Sequence, residues 1–323
     1  LTGPARALVD LASRIPGGRL VAPRTPVILL YHGVPASADD DMCGAVFDEH
    51  LAFLKQHCEF VPPTHVEERR RPSDRLRVVL TFDDGFRNNA EVAAPILRRH
   101  GVPALFFVTS RHTTPGKYLW FSYLRALERW FPGDGLTFRD TWFDMLPAAR
   151  GRSIERLQGT LLELTPHPAA MYEAIESELP RLEEFVNPQS LADSYAGMTA
   201  DQVAELAADP LFSFGIHTAD HPFLTKCDRV EALQQVQRNR RWLEDVCGRP
   251  CDAIAYPSGD YNDEILEICR QARVKRGYAV IPRSSSCSDM EIPRFGIYAA
   301  STAALRFKAH WGAMLRRAGM QLG

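Results

Sequence analysis

The chain has 323 residues, 45% hydrophobic and 24% charged, which is enough apolar material for a large core and unlike a disordered or fibrous protein. A formal charge of −2 and a pI near 6.6 leave no basic surplus for a phosphate backbone, so nucleic acid is excluded as a partner class. Nowhere do about 18 apolar residues run together, so no membrane span is expected. The first 23 residues also lack the apolar stretch of a signal peptide. That points to the cytoplasm, with a removed upstream segment left open because the chain begins at Leu1. Seven cysteines without a repeated CxxC spacing read as reduced thiols, and Cys247 and Cys251 as structural thiols around a Gly-Arg-Pro turn.

In chain order, Val27 to Tyr31 is a short apolar strand that leaves through the breaker-rich His32-Gly33-Val34-Pro35. Phe47 to His57 has helical spacing. Val78 to Phe82 is a β-branched strand closed by Asp83-Asp84-Gly85, Asn88 to His100 is a helix stopped by Gly101, and Ala104 to Thr109 is the next strand. Residues 112–197 break the rhythm. They offer helical patterns over Tyr118–Phe131, Ser153–Leu164 and Ala169–Phe185 and no strong strand, so they read as a helical insertion. Thr199 to Gln202 has capping-box form, which starts a helix through Leu206. Then follow strand Phe212–Ile216, helix Asp228–Val246, strand Asp252–Tyr256, helix Asp263–Ala272, and strands Gly277–Ile281 and Ile292–Tyr298. Thr302 to Met320 reads as an amphipathic helix packed on the body. Alternating strands and helices without a Gly/Ser linker predict one α/β barrel domain over 1–323 with a parallel sheet.

The chemistry concentrates at two strand ends. His217 and His221 follow Gly215-Ile216 and are four residues apart, close enough to share one cation. They lack the local Glu of an HExxH motif. Asp83-Asp84, at the C-terminal mouth of another strand, can supply both the third ligand and a base, since neighbouring residues at a strand end project differently. Two His and one Asp leave open positions on Zn²⁺ or a similar ion, as a catalytic site requires. The remaining carboxylate is then placed to take the proton of an attacking water.

Thr81-Phe82-Asp83-Asp84-Gly85, His217-Thr218-Ala219-Asp220-His221 and Ala255-Tyr256-Pro257-Ser258-Gly259 resemble, in order and spacing, the first three motifs of the polysaccharide deacetylases. This is the NodB-homology family, carbohydrate esterase family 4. Tyr31-His32-Gly33-Val34 and Ile292-Pro293-Arg294 are similar to the first and a late strand of the exopolysaccharide-type subset. The resemblance covers about residues 26 to 300 outside the insertion. It implies a deformed (β/α)7 barrel and metal-dependent removal of an N-acetyl group from an amino sugar. By position, it implies Asp83 as general base and Asp84, His217 and His221 as ligands of a divalent metal, Zn foremost, with Co, Ni or Fe as alternatives. The Ser258 backbone would polarise the carbonyl. The substrate implied is an N-acetylated glycan or a lipid- or nucleotide-linked sugar precursor, and the oligomeric state is left open.

Three departures from the family pattern bear on mechanism. Ala255 stands where many members have an Arg that orients the base, Ser258 replaces a groove-wall aromatic, and no late Leu-x-His supplies a general acid. Arg294 is the candidate for the orienting role, against an ordinary salt bridge. His32 is the first candidate for contacting substrate or leaving group, and His310 the second. Asp220 reads as a supporting or surface carboxylate. The aromatics of the insertion, Trp120, Phe121 and Tyr123 among them, read as core between its helices that also covers the barrel mouth. Alternative readings are a deformylase or cyclic-amide hydrolase on the same fold, or a glycan-binding protein that has lost turnover.

Overall fold

The computed structural model describes residues 23–37, 42–69, 71, 74–283, 288–298, 300, 302, 305, 306, 308 and 309. Ten strands fall within them: β1 (Val27–Tyr31), β2 (Cys58–Phe60), β3 (Leu76–Phe82), β4 (Ala104–Val108), β5 (Gly135–Phe138), β6 (Thr141–Asp144), β7 (Phe212–Ile216), β8 (Ala253–Ala255), β9 (Arg276–Ala279) and β10 (Ile292–Gly296). The helices are α1 (Gly44–His57), α2 (Ala94–His100), α3 (Trp120–Trp130), α4 (Arg150–Leu162), α5 (Pro168–Glu178), α6 (Pro188–Ser194), α7 (Ala200–Ala207), α8 (Arg229–Cys247) and α9 (Asp263–Gln271). The expected terminal helix lies largely outside the described residues, as does His310.

Strands β1, β10, β9, β8, β7, β4 and β3 pair in that order, all parallel, and β3 returns to β1, so the sheet closes into a barrel of seven strands. Short β2 adds to the N-terminal half of β3 outside that ring. The barrel is deformed at β8, which meets β7 through one residue pair, Ile216 with Ile254.

The period of two along each strand sorts side chains between two cores. Val27, Leu29 and Tyr31 of β1 and Val78, Leu80 and Phe82 of β3 pack outward with helix residues such as Phe47, Leu51 and Leu97. The alternate set, including Ile28, Val79, Leu105, Phe107, Ala255 and Tyr278, fills the barrel. The same parity carried past the strand ends aims the chemistry. Asp83 continues the inward set of Val79 and Thr81, and His217 continues that of Gly215, which pairs with inward Phe107. Arg294 pairs with inward Ile28, so its side chain starts inside the barrel.

The expected helix from Asn88 to His100 is split into a π turn over Asn89–Ala93 and then α2. Pro95 is the reason: it has no N–H to give to an α-helical ladder, and a π turn absorbs the mismatch. The insertion differs from expectation in three places. Gly135 to Asp144 forms an antiparallel hairpin. The helix expected to reach Phe185 stops at Glu178, two residues before Pro180, which excludes the helical region for Leu179. The additional helix α6 opens on Pro188, with the Asn187 side chain accepting from the Gln189 N–H. These elements enclose a core of their own, built on Leu124, Leu127, Phe138, Phe143, Leu157 and Met171. Past it, Thr199 and Gln202 make both bonds of the capping box that starts α7.

Candidate metal centre and substrate cavity

Asp84, His217 and His221 converge at the barrel mouth, their ligand atoms all within 4.8 Å of one another. Asp84 Oδ1 lies 3.2 Å from His217 Nε2 and 3.3 Å from His221 Nε2, and all three side chains are buried. Local backbone brings them there. Asp84 (φ 73), Gly85 (φ 77), Thr218 (φ 66), His221 (φ 53) and Ser258 (φ 55) all occupy the left-handed region. Such conformations cost an L-residue roughly 1–2 kcal/mol, and four of the seven non-glycine residues at positive φ among the described residues are these: Asp84, Thr218, His221 and Ser258. Thr218 Oγ1 accepts the His221 N–H at 3.1 Å, which closes the turn between the two histidines.

Gly85 is required twice over, since its φ is +77 and a Cβ would stand 2.7 Å from Val108 Cγ1. Gly85→Ala is expected to cost about 1–2 kcal/mol for the backbone and about 1–3 kcal/mol for overpacking against Val108. Urea unfolding measures the sum, and wild-type stability would show that the turn after Asp84 can relax.

His217 Nδ1 sits 2.9 Å from the Ala255 carbonyl, which can only accept, so that nitrogen carries the proton. Its backbone N–H is held by Asn239 Oδ1 at 3.0 Å, and Asn239 Nδ2 in turn donates to the Val108 carbonyl. A neutral His217 therefore presents a bare Nε2 to a carboxylate oxygen. Burial works against charge on His217, but Asp83 and Asp84 outweigh it and raise its pKa. Burial holds His221 below the ordinary histidine value, since Asp84 does not fully offset it and a charged His217 works in the same direction. A divalent cation accepts all three lone pairs together, so these residues fit a metal ion. Asp84 itself is held well below the usual carboxylate range: burial would raise it, and the two imidazoles prevail.

Asp83 does not share in that cluster. Its carboxylate takes a two-pronged bond from Arg294, Nη1 to Oδ1 at 2.6 Å and Nη2 to Oδ2 at 2.7 Å, and the guanidinium is fully buried over the Phe107 ring. Burial alone would push the Asp83 carboxyl up, but Arg294 and His217 hold it below its ordinary value. The acid is therefore ionised at neutral pH and fixed in orientation. Ala255 supplies the carbonyl that orients His217, while the arginine on Asp83 arrives from β10.

His32, Asp83, Asp84, His217, His221 and Ser258 all line one cavity of ≈ 840 Å³. Arg294 lies beneath its floor. Tyr298 also lines the cavity, and its ring packs 5.7 Å from that of His32. Asp220 turns away, bonded to Gln235 Nε2 at 2.7 Å and to Arg238 Nη2 at 3.1 Å. The insertion reaches the centre directly: Trp120 Nε1 donates to the His221 carbonyl at 3.1 Å, and the Phe121 ring lies 4.9 Å from that of His221. Trp120 and Tyr123 are buried in the insertion core, and Trp120 and Phe121 both line the cavity.

The family model described as polysaccharide deacetylase matches residues 70–125 and 182–277, which spans the Asp83-Asp84 and His217–His221 segments. The chain carries a polysaccharide deacetylase domain. It is a hydrolase that acts on an amide C–N bond. The stretch between the matched segments is the inner part of the insertion, hairpin included. No curated protein matches the chain at a significant level. Solved structures share the fold at low identity. The deacetylase PplD from Streptococcus pyogenes is 19% identical with a TM-score of 0.56, over 89% of this chain and 99% of that one. IcaB from Ammonifex degensii is 18% identical with a TM-score of 0.58, over 90% and 98%. A de-N-acetylase from Aggregatibacter actinomycetemcomitans is 15% identical with a TM-score of 0.53, again over 90% and 98%.

Within this deacetylase domain, three contributors to the site go beyond the sequence motifs. Asn239 and Gln235 are buried polar residues on the packed face of α8, a signal visible once the helix is placed. His112, also buried, contacts the Asp84 carbonyl at 3.1 Å and the Tyr195 carbonyl at 2.9 Å, which ties the metal turn to the end of the insertion. The described helices include none long and apolar enough to cross a membrane.

Proposed function

We propose that this chain is a divalent-metal-dependent de-N-acetylase of an N-acetylated amino sugar in a surface polysaccharide or its precursor. The observation that carries the reading is the division of labour at the mouth. One aspartate converges with two histidines on a point, and its neighbour stands beside them, ionised and clamped by Arg294. Asp84, His217 and His221 would hold the ion, with Zn²⁺ best suited to this nitrogen and oxygen donor set. When bound, such an ion supplies Lewis acidity, polarising the amide carbonyl and acidifying water.

The chain's own residues account for the other steps. Asp83 takes the proton from the water that attacks the acetyl carbon. Arg294 keeps that carboxylate ionised and aimed, the role otherwise given to an arginine at the position of Ala255. The Ser258 backbone, left-handed at the cavity wall, presents its N–H to the carbonyl oxygen as negative charge develops there. His32, half-buried across the cavity, gives a proton to the leaving amine nitrogen. PplD, of the same fold, is described in complex with acetate, the product such a reaction releases.

Acetate release from a panel of N-acetylated glycans tests the proposal. Chelation is expected to abolish release, and Zn²⁺ or Co²⁺ to restore it. His217→Ala and His221→Ala are expected to lose the ion in a metal assay. Full metal content in both variants, or release that survives exhaustive chelation, would overturn the assignment.

A further inference from the structure

The inward row of β10 ends in an aromatic ring. Arg294 pairs with Ile28 and Gly296 with Leu30, so the same register, continued past the strand ends, sets Tyr298 beside His32. On the other side of β1, Tyr31 pairs with Phe82, which sets His32 beside Asp83. Tyr298, His32 and Asp83 therefore stand at one level on three neighbouring strands, and all three line the cavity. The contacts agree with the register: the ring centroids of Tyr298 and His32 are 5.7 Å apart, with their planes 30° from parallel.

The ring is held where it stands. A Cβ on Gly296 would lie 2.6 Å from Tyr298 Cζ and 2.7 Å from its hydroxyl oxygen, so the tyrosine folds back over the space that glycine leaves in the row. Lys308 braces the same spot, donating to the Gly296 carbonyl at 2.7 Å with its Nζ 5.7 Å from the ring centre. Tyr298 nevertheless remains 58% exposed. A braced aromatic ring left open on a cavity wall is a preformed apolar face.

Strand order says what meets that face. From β3 through β1 to β10, the mouth presents Asp84 and Asp83, then His32, then Tyr298. In the proposed reaction the acetyl carbonyl lies at Asp84 and its two histidines, and the amine nitrogen departs at His32. The sugar carbon bonded to that nitrogen continues away from the acetyl group, toward Tyr298. A pyranose ring presents C–H faces that can lie flat on an aromatic ring and shed water there.

We propose that Tyr298 is the platform for the sugar ring that carries the scissile N-acetyl group. This rests on the proposed deacetylase reading and adds the residue that seats its sugar. The stacked contact is the same before and during cleavage of the amide, so it contributes uniform binding, which is read in KM and not in kcat.

The test measures kcat and KM for acetate release from N-acetylglucosamine and N-acetylgalactosamine oligomers by the Zn²⁺-loaded chain and its variants. Tyr298→Leu is expected to raise KM roughly tenfold through loss of the stacked face, with kcat within about threefold of wild type. Tyr298→Phe keeps the platform and should match wild type. Gly296→Ala, which pushes the ring off its seat without deleting it, should raise KM as Tyr298→Leu does. The pH dependence of kcat should be the same in all of them. A wild-type KM in Tyr298→Leu overturns the inference. So does a loss of kcat with a shifted basic limb, which would make Tyr298 a support for His32, or a Tyr298→Phe as impaired as Tyr298→Leu, which would make the hydroxyl the contact. Calorimetry with the same oligomers separates this from failure of the deacetylase reading. Binding that Tyr298→Phe keeps and Tyr298→Leu weakens roughly tenfold, without acetate from any protein, supports the platform and refutes the deacetylase. Acetate release with equal binding by all three proteins refutes the platform alone.

Discussion

Asp83→Asn should lower kcat for acetate release by about 10²–10⁴, the usual contribution of a positioned general base, while the protein still binds its ion. The two halves of that result must appear together. Asp84 is the carboxylate that meets both imidazoles, at 3.2 and 3.3 Å, whereas Asp83 spends both oxygens on Arg294. Replacing Asp83 therefore leaves the ligand set intact and removes the one ionised acceptor that stands beside it. Asp84→Asn should do the reverse and lose metal. If Asp83→Asn lost the ion and Asp84→Asn kept it, the roles of these adjacent acids would be interchanged. If Asp83→Asn kept a rate within tenfold of wild type, Asp83 would not be the base. Asparagine also breaks a buried pair, so thermal melts must accompany the rates: an asparagine oxygen can accept one guanidinium N–H, but its amide group faces the other donor to donor.

The barrel and its mouth were legible in the sequence because the signals are local. Val27–Tyr31, Val78–Phe82 and Phe212–Ile216 are apolar runs with β-branched or aromatic content, and each is bounded by breakers. Asp83-Asp84-Gly85 and His217–His221 stand right at their ends. What could not be read is of two kinds. The β5–β6 hairpin turns through Arg139 and Asp140, both at positive φ, so a primed turn is made without the Asn-Gly or Asp-Gly pair that announces one. The other kind is distance along the chain. Ala255 reads as a missing arginine and Arg294 only as a candidate to stand in for it; it is the parity of β10, which pairs Arg294 with inward-facing Ile28, that brings this guanidinium from 211 residues away to Asp83. Likewise the Ala255 carbonyl that fixes the His217 tautomer is a backbone group, which no residue pattern reveals.

That same pairing makes Arg294→Met the variant with the largest expected effect on stability. It deletes a fully buried cation and strands the Asp83 carboxylate, itself only 3% exposed, at a cost of about 3–5 kcal/mol, the range for breaking a buried pair from one side. The pH dependence separates this from a mere packing defect. In the wild type the Asp83 pKa is depressed, so the pair's contribution is present above the unfolded carboxylate value of about 3.9 and is lost as pH falls through the folded value. Without Arg294 only the neighbouring imidazoles, His217 foremost, are left to oppose burial, and the folded pKa is expected to rise above the unfolded one. The variant then loses stability as pH rises between those two values. Its deficit in urea melts should be larger at pH 8 than at pH 5, whereas a packing defect gives the same deficit at both. Activity should shift in the same sense, with the acid limb of kcat/KM moving to higher pH as the base becomes harder to ionise. The double variant Asp83→Asn/Arg294→Met removes both charges and should recover part of the lost stability without recovering turnover, because a buried pair replaced by neutral groups costs less than one broken from one side. If the two losses simply added, Arg294 would be packing against Phe107 rather than holding the base.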